Sequence, residues 1–264
     1  MSTGGSTKPL RVIAITEGDL NPEETPYVVK VFKKTHVIQS NSIAKEFICN
    51  TLAKEFDLSV PETGLINLTE GPFLDLLRPS EQAFLKERHQ GPTFASRLLE
   101  ASLVNPALRN YVFKTYDMAT LFAFDCMIIN TDRGGHHNKP NLLVDDDGFI
   151  LIDHELTLGF IDGDDEHAYQ KYLQLIQGKQ WPSFYAKHLF YNELKSYRGP
   201  NKKNLFDTFE NSLSGISLHR IEQSMDDLRK NGIAVGRGEQ IIDYLRTLKQ
   251  QPDRFKNLLL GLIS

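Results

Sequence analysis

The chain has 264 residues, of which 40% are hydrophobic and 24% are charged, a composition that is ordinary for a soluble globular protein. A chain of this length can bury a substantial core. The net charge of −4 gives no reason to expect a nucleic acid or an anionic membrane as a partner. No run approaches the roughly 20 apolar residues of a membrane-spanning helix, and the polar N-terminus does not resemble a signal peptide.

The two cysteines are expected to be buried thiols. Cys49 and Cys126 both lie within apolar helical patterns. Because disulfides are rare in the cytosol, we expect both side chains to be reduced and the protein to be cytoplasmic.

The N-terminal residues are small and polar and allow two interpretations. They can be a frayed terminus. Alternatively, Gly4, Gly5, Ser6 and Thr7 can form a phosphate-binding loop, because successive backbone N–H groups and hydroxyls bind anions.

The first hundred residues are predicted to form a strand-rich region. Short apolar runs predict strands at Leu10–Ile15, Tyr27–Phe32, Gly64–Leu68 and Gly91–Leu99. One amphipathic helix is predicted from residue 41 or 42 to about residue 56, because apolar side chains recur there at helical spacing. Residues 73–90 predict a short helix within a charged, irregular stretch.

Two charged residues interrupt these apolar patterns. Lys30 lies inside the second predicted strand, where alternation permits a place on a solvated face. Glu46 lies next to the buried stripe of the helix rather than opposite it. Glu46 can therefore be solvated, or it can reach back to Lys30.

The second half of the chain predicts helices. The stretch Tyr116–Ile129 is apolar almost all round, so it is expected to be a buried helix. Helical patterns dominate after Phe160, beyond an acidic stretch, Asp162–Glu166, that is expected to be a mobile surface loop. The fold class is therefore α+β, with an N-terminal lobe at residues 1–105 and a helical C-terminal lobe at residues 106–264.

The chain is organised around the stretch Asn130–Phe160, whose middle predicts a β-hairpin. Residues 141–144 and 149–152 are apolar strands, and an acidic turn ending in Gly148 joins them. Asp132 precedes the hairpin, Asn141 opens it and Asp153 follows it. A short hairpin brings its ends together, so these three side chains are expected to lie close to one another. Two carboxylates and an amide offer hard oxygen ligands for Mg²⁺ and a carboxylate for a substrate hydroxyl.

The histidines near this hairpin allow a different interpretation. His136, His137 and His154, together with Asp153, can form the metal site of a hydrolase. Adjacent histidines point in different directions on most backbones, which favours solvated loop histidines instead.

Three short segments around the hairpin resemble those of the HipA-like kinases, and especially the shorter bacterial HipA-related branch of the protein kinase-like superfamily. They are Asn130-Thr131-Asp132-Arg133, Pro140-Asn141-Leu142-Leu143 and Ile152-Asp153-His154. The order of a lysine, a helical glutamate, an aspartate, an asparagine and a final aspartate is also that of the kinase-like fold. The resemblance implies a two-lobed protein kinase-like fold.

The resemblance also implies a role for each candidate residue. Lys30 would hold the α- and β-phosphates of ATP and pair with Glu46, and Asp132 would be the catalytic aspartate. Asn141 and Asp153 would bind Mg²⁺, with Asn138 as an alternative to Asn141, because the loop after Asp132 is longer than usual. The residues that would cover the phosphates are Gly4, Gly5, Ser6 and Thr7.

The implied activity is ATP- and Mg²⁺-dependent phosphoryl transfer, most simply by a serine/threonine protein kinase acting on a protein substrate. Two alternatives stay open. One is a nucleotide-binding module of the same fold with weak or no catalysis. The other is a lipid or small-molecule kinase, because an Asp-Arg pair after an apolar helix is also similar to phosphatidylinositol kinases.

Overall fold

The computed structural model describes residues 9–15, 23–69, 71–105, 117–134 and 139–264. The phosphate-loop candidates at positions 4–7, and His136, His137 and Asn138, lie outside these residues. The fold is α+β, as predicted, with an antiparallel sheet near the N-terminus and a helical C-terminal part. The strands are β1 Leu10–Ala14, β2 Thr25–Val29, β3 Thr63–Asn67, β4 Pro92–Arg97, β5 Ser102–Leu103, β6 Leu142–Val144 and β7 Phe149–Leu151.

The helices lie mostly in the second half of the chain. Short 3-10 helices are found at Gly71–Leu76, Gly159–Ile161, Ser183–Lys187 and Lys202–Asn204. The described α-helices are α1 Lys34–Ser40, α2 Ser42–Glu55, α3 Pro79–Lys86, α4 Met118–Met127, α5 Ala168–Gln177, α6 Tyr191–Ser196, α7 Asp207–Gly215, α8 Leu218–Lys230, α9 Glu239–Gln250 and α10 Pro252–Leu262. No helix within the described residues has the length and apolar character needed to cross a membrane.

The N-terminal sheet has four antiparallel strands in the order β1-β2-β4-β3. The second strand ends at Val29, so Lys30 follows the strand and does not lie within it as predicted. Its backbone N–H still donates to the Phe94 carbonyl over 2.9 Å. Helix α1 was not predicted, because Val37 is its one buried residue and Ile38 is exposed, which leaves no amphipathic signal.

The predicted hairpin is confirmed. Strands β6 and β7 pair antiparallel, with Leu142 opposite Leu151, and β5 adds a third strand to them. In the turn, the side chain of Asp145 accepts from the backbone N–H of Asp147 (2.9 Å) and of Gly148 (3.0 Å), a side-chain turn that Asp forms readily.

The predicted buried helix is also confirmed, as α4. All of its residues from Ala119 to Met127 are buried, and the side chain of Asp117 caps its N-terminus by accepting from Thr120 N over 2.8 Å. It packs in one large core with α2 and the C-terminal helices. Cys49 and Cys126 are both buried and free, as expected.

The acidic stretch that begins at Asp162 lies mostly on the surface, as predicted, and several contacts anchor it. Asp162 accepts from Lys45 Nζ over 2.5 Å and from Asn41 Nδ2 over 3.1 Å. Arg237 donates to the Asp164 carbonyl over 2.6 Å. A buried cation requires a partner, and Lys45 in α2 is almost fully buried. This contact attaches the start of α2 to the segment that follows the hairpin.

Candidate active site

A cleft of about 620 Å³ lies between the N-terminal sheet and the hairpin. Much of its lining is apolar, and Leu103 in that lining is 58% exposed. The lining also includes Lys30, Asn141 and Asp153, three of the predicted site residues. The apolar wall includes Val28, Leu99, Leu103, Leu143 and Ile152.

Lys30 lies at the centre of an ion-pair triad. Its ammonium donates to Asp153 Oδ1 over 2.7 Å and also contacts Glu46 Oε1. The Lys30 side chain is 14% exposed and that of Glu46 is 1% exposed, so neither lies on a solvated face. Burial by itself would lower the pKa of Lys30, but the nearby carboxylates, first Asp153 and then Glu46, outweigh burial and raise it. Lys30 therefore carries a positive charge at neutral pH.

Glu46 joins the helix to the end of the hairpin. It lies one turn into α2, and its Oε1 accepts from the backbone N–H of His154 over 3.1 Å. Burial would raise the pKa of the neighbouring Asp153, but the Lys30 ammonium lowers it overall. The Asp153 carboxylate is thus ionised and available as an anionic ligand.

Asp132 is brought to the base of the hairpin. Its Oδ2 accepts from Asn141 Nδ2 over 2.7 Å, and its backbone N–H donates to Asn130 Oδ1 over 3.0 Å. Asp132 does not line the cleft itself, but it contacts Asn141, which does. Asn141 and Asp153 have positive φ angles of 44° and 64°. Left-handed backbone at residues other than glycine is uncommon and tends to occur at functional sites.

A buried arginine that sequence reasoning missed connects the two ends of the hairpin. The Arg133 guanidinium donates from Nε to Asp125 Oδ2 over 2.5 Å. Its Nη1 contacts the carbonyl of Asn141 and lies 3.3 Å from the carbonyl of Ile152. Arg133 therefore fixes the backbone beside both proposed metal ligands. The signal that could have identified this network is Asp125, the one charged residue within the apolar helix α4.

His188 completes this network from a distant part of the chain. Its Nδ1 accepts from Phe190 N over 3.1 Å, so its Nε2 carries the proton and donates to Asp125 Oδ2 over 2.9 Å. Burial would raise the pKa of Asp125, but Arg133 and His188 hold it well below the usual range. No sequence pattern links residue 188 to the hairpin.

His154 is not a solvated loop histidine. It is 0% exposed, and its Nε2 lies 3.4 Å from Arg133 Nη2. Burial, with Arg133 nearby, lowers the pKa of His154 to about 3, so the ring is neutral. Among the residues that the structure describes, no group of three or more His, Cys, Asp or Glu side chains is arranged to hold a metal. The hydrolase interpretation therefore has no support within that part of the chain.

The neutral state of His154 predicts a pH dependence of stability. In the unfolded chain its pKa returns to the ordinary value of 6.5, so the unfolded state binds an extra proton between pH 3 and pH 6.5. The free energy of unfolding should therefore decrease as the pH falls below 6.5, by up to about 1.4 kcal/mol per pH unit from this residue.

The measurement is urea denaturation of the wild type and of a His154→Gln variant from pH 4.5 to pH 7.5. The difference in unfolding free energy between the two proteins should rise with pH up to about 6.5 and be flat above it. The contributions of the other titrating groups to the unfolding free energy cancel in this difference. Parallel pH profiles would show that His154 is not held neutral.

The chain was compared with known proteins. A family model described as HipA-like kinase matches residues 21–196, a range that holds every predicted site residue from Lys30 to Asp153. The crystal structure of a Helicobacter pylori proinflammatory kinase, CtkA, is similar at 13% sequence identity and a TM-score of 0.50, over 96% of this chain and 94% of that one. At this identity the likeness shows the fold, which is the predicted protein kinase-like one. The comparison with curated proteins gave no match.

Proposed function

Because the chain belongs to the HipA-like kinase family, we propose that it is an ATP- and Mg²⁺-dependent serine/threonine protein kinase. The observation that carries this proposal is the convergence of separate segments on one cleft. Lys30 follows a strand, Glu46 lies in α2, and Asn141 and Asp153 lie at the two ends of a hairpin. Of these four residues, Lys30, Asn141 and Asp153 line the cleft, and they supply it with one cationic and two oxygen-bearing side chains.

The nucleotide would occupy the cleft with its purine on the apolar wall. Leu99 is contributed by the connection between the two sheets, Leu103 by β5, and Leu143 and Ile152 by the hairpin. Flat apolar walls suit a purine ring, and a few polar groups then fix its orientation. The Lys30 ammonium would contact the α- and β-phosphates. We also propose that residues 4–7 cover the phosphates.

The cleft lining has oxygen ligands of the kind that Mg²⁺ requires. The Asn141 side chain donates from Nδ2 to Asp132, which leaves its Oδ1 for a metal, and Asp153 binds Lys30 through Oδ1, which leaves its Oδ2. These are hard oxygen ligands, and the hydrogen bonds to Asp132 and from Lys30 orient the two side chains. Mg²⁺, when bound, would neutralise charge on the phosphates and orient the γ-phosphate.

Asp132 would act on the acceptor hydroxyl. The hydroxyl oxygen forms a bond to the γ-phosphorus, the bond from that phosphorus to the β–γ bridging oxygen breaks, and ADP leaves. The proton of the hydroxyl passes to the Asp132 carboxylate, which Asn141 holds in position. Little covalent chemistry is required of the protein beyond this positioning and charge neutralisation.

The experiment compares Asn141→Ala with Asn138→Ala in the Mg²⁺ concentration that gives half-maximal ATP turnover. Asn141→Ala should raise that concentration at least about tenfold, the size of effect expected when a metal's coordination is disturbed. Asn138→Ala should leave it nearly unchanged. The half-maximal Mg²⁺ concentration is measured rather than the rate, because Asn141 also holds Asp132 in position. Removing the Asn141 side chain therefore lowers the rate even when Mg²⁺ is saturating. The reverse pattern would assign the metal to Asn138, and ATP turnover that does not depend on Mg²⁺ would contradict the proposed function.

A further inference from the structure

One stretch of the surface has a charge opposite to that of the whole protein. Residues 179–206 contain six lysine or arginine side chains and one carboxylate, Glu193, which gives this stretch a net charge of +5. The chain as a whole has a net charge of −4. Positive charge is therefore concentrated in one short part of the chain, where it can attract an anionic partner.

Five of the six cations of this stretch are exposed, and the sixth, Lys202, is half-buried. Lys187, Lys195, Arg198 and Lys203, which we call the cationic face, are all exposed. Elsewhere on the helical part, several exposed arginines are paired, as Arg229 with Glu239 at 2.6 Å. Among the described residues, no ion pair includes a member of the cationic face.

Part of the cationic face is held at the C-terminal end of α6. Arg198 Nη1 donates to the Lys195 carbonyl over 3.2 Å, and Lys202 Nζ donates to the same carbonyl over 3.3 Å. The Lys195 ammonium lies 5.5 Å from the centre of the Tyr191 ring, which packs on Tyr185 at 5.4 Å. The C-terminal end of a helix favours such cations, and Lys195, Arg198 and Lys202 meet there.

The cationic face lies next to the loop that carries Asp132. The backbone N–H of Leu189 donates to the Arg133 carbonyl over 3.0 Å. Gly134 has a positive φ of 84°, and a Cβ there would come within 3.0 Å of Leu189 N. Helix α6 begins two residues after Leu189. From the spacing of residues along the chain and along a helix, Lys195 lies within about 20 Å of Asp132.

We propose that the cationic face docks an acidic segment of the acceptor protein, which rests on the proposed kinase function. An extended peptide covers about 3.3 Å per residue, so an acidic segment on the order of six residues from the acceptor hydroxyl reaches this face. A peptide is favoured over a nucleic acid, because the remainder of the protein is strongly acidic and repels a long phosphate polymer. A few grouped cations suffice for a short acidic peptide.

The test uses the full chain without ATP and measures the binding of a fluorescent peptide of ten glutamates at low salt. The Lys195→Glu/Arg198→Glu/Lys203→Glu variant should bind it about ten- to a hundredfold more weakly than the wild type, as expected for reversing three exposed contacts. The matched control reverses three exposed lysines on other helices, in a Lys34→Glu/Lys86→Glu/Lys171→Glu variant with the same net charge. The control should retain binding within about twofold.

Two results would overturn the inference. Equal loss of binding in both variants, or no binding to the wild type, would show that no local face is responsible. Tighter binding of a ten-nucleotide uridine RNA than of the glutamate peptide would assign the face to nucleic acid. The ATP affinity is measured in parallel by calorimetric titration and is expected to be the same in both variants as in the wild type. If the wild type does not bind ATP, the proposed function fails, and the peptide comparison still decides whether the face binds acidic chains.

Discussion

An Asp132→Asn variant is expected to transfer phosphate about 10²- to 10⁴-fold more slowly than the wild type, which is the usual contribution of a positioned base. The amide can still accept the hydrogen bond that Asn141 Nδ2 donates, but it cannot take the proton of an acceptor hydroxyl. Because Asp132 does not line the nucleotide cleft, ATP affinity should change by no more than about twofold. Initial rates at saturating ATP and calorimetric titration measure the two quantities.

The matched control is Asp146→Asn, which changes an exposed carboxylate in the turn of the same hairpin. It removes the same charge from the same element and should leave both the rate and the ATP affinity unchanged. Full activity of the Asp132→Asn variant would show that the Asp132 carboxylate does not act as the base.

An Arg133→Met variant is expected to lose about 3–5 kcal/mol of unfolding free energy, the usual cost of removing one partner of a buried ion pair. Arg133 is the largest fully buried side chain among the described residues. Without it, Asp125 keeps hydrogen bonds from His188 and Asn130 but loses the guanidinium that balances its charge, and the carbonyls of Asn141 and Ile152 lose the hydrogen bonds from Arg133. Urea denaturation at neutral pH measures the loss.

Two further variants test whether the unpaired carboxylate causes that loss. Arg246→Met breaks a surface pair with Asp243 in which both side chains are about half exposed, and it should cost no more than about 1 kcal/mol. Adding Asp125→Asn to Arg133→Met should recover part of the stability, because the buried charge is then removed. If Arg133→Met costs no more than Arg246→Met, the buried network does not hold the hairpin together.

The parts of the fold that could be predicted are those whose signal is local. The hairpin was predicted because two apolar runs flank an acidic turn that ends in Gly148, and α4 because its residues are apolar all round. The candidate residues Lys30, Glu46, Asp132, Asn141 and Asp153 were predicted because their types and order resemble those of a known family. The fold brings Lys30 into contact with Glu46 and Asp153, and Asp132 into contact with Asn141.

The parts that could not be predicted depend on contacts between distant segments. Arg133 was read only as part of a motif, because nothing near it in the sequence shows that its partner is Asp125, and His188 joins them from a helical region with no motif. Nothing near Lys45 in the sequence shows that it is buried, because its burial depends on Asp162, 117 positions away. Pairings of this kind are set by tertiary packing, which local propensity and periodicity do not encode.

The measurement that tests the central claim most directly is the transfer of label from ATP to protein. The wild type is incubated with Mg²⁺, a cell lysate and ATP labelled either at the γ- or at the α-phosphate, with Asp132→Asn as the inactive control. We expect label from γ-labelled ATP to appear on serine or threonine of a protein, and none from α-labelled ATP or from the variant. Binding of ATP without transfer of the γ-label, or transfer of the α-label, would contradict the assignment of this protein as a kinase.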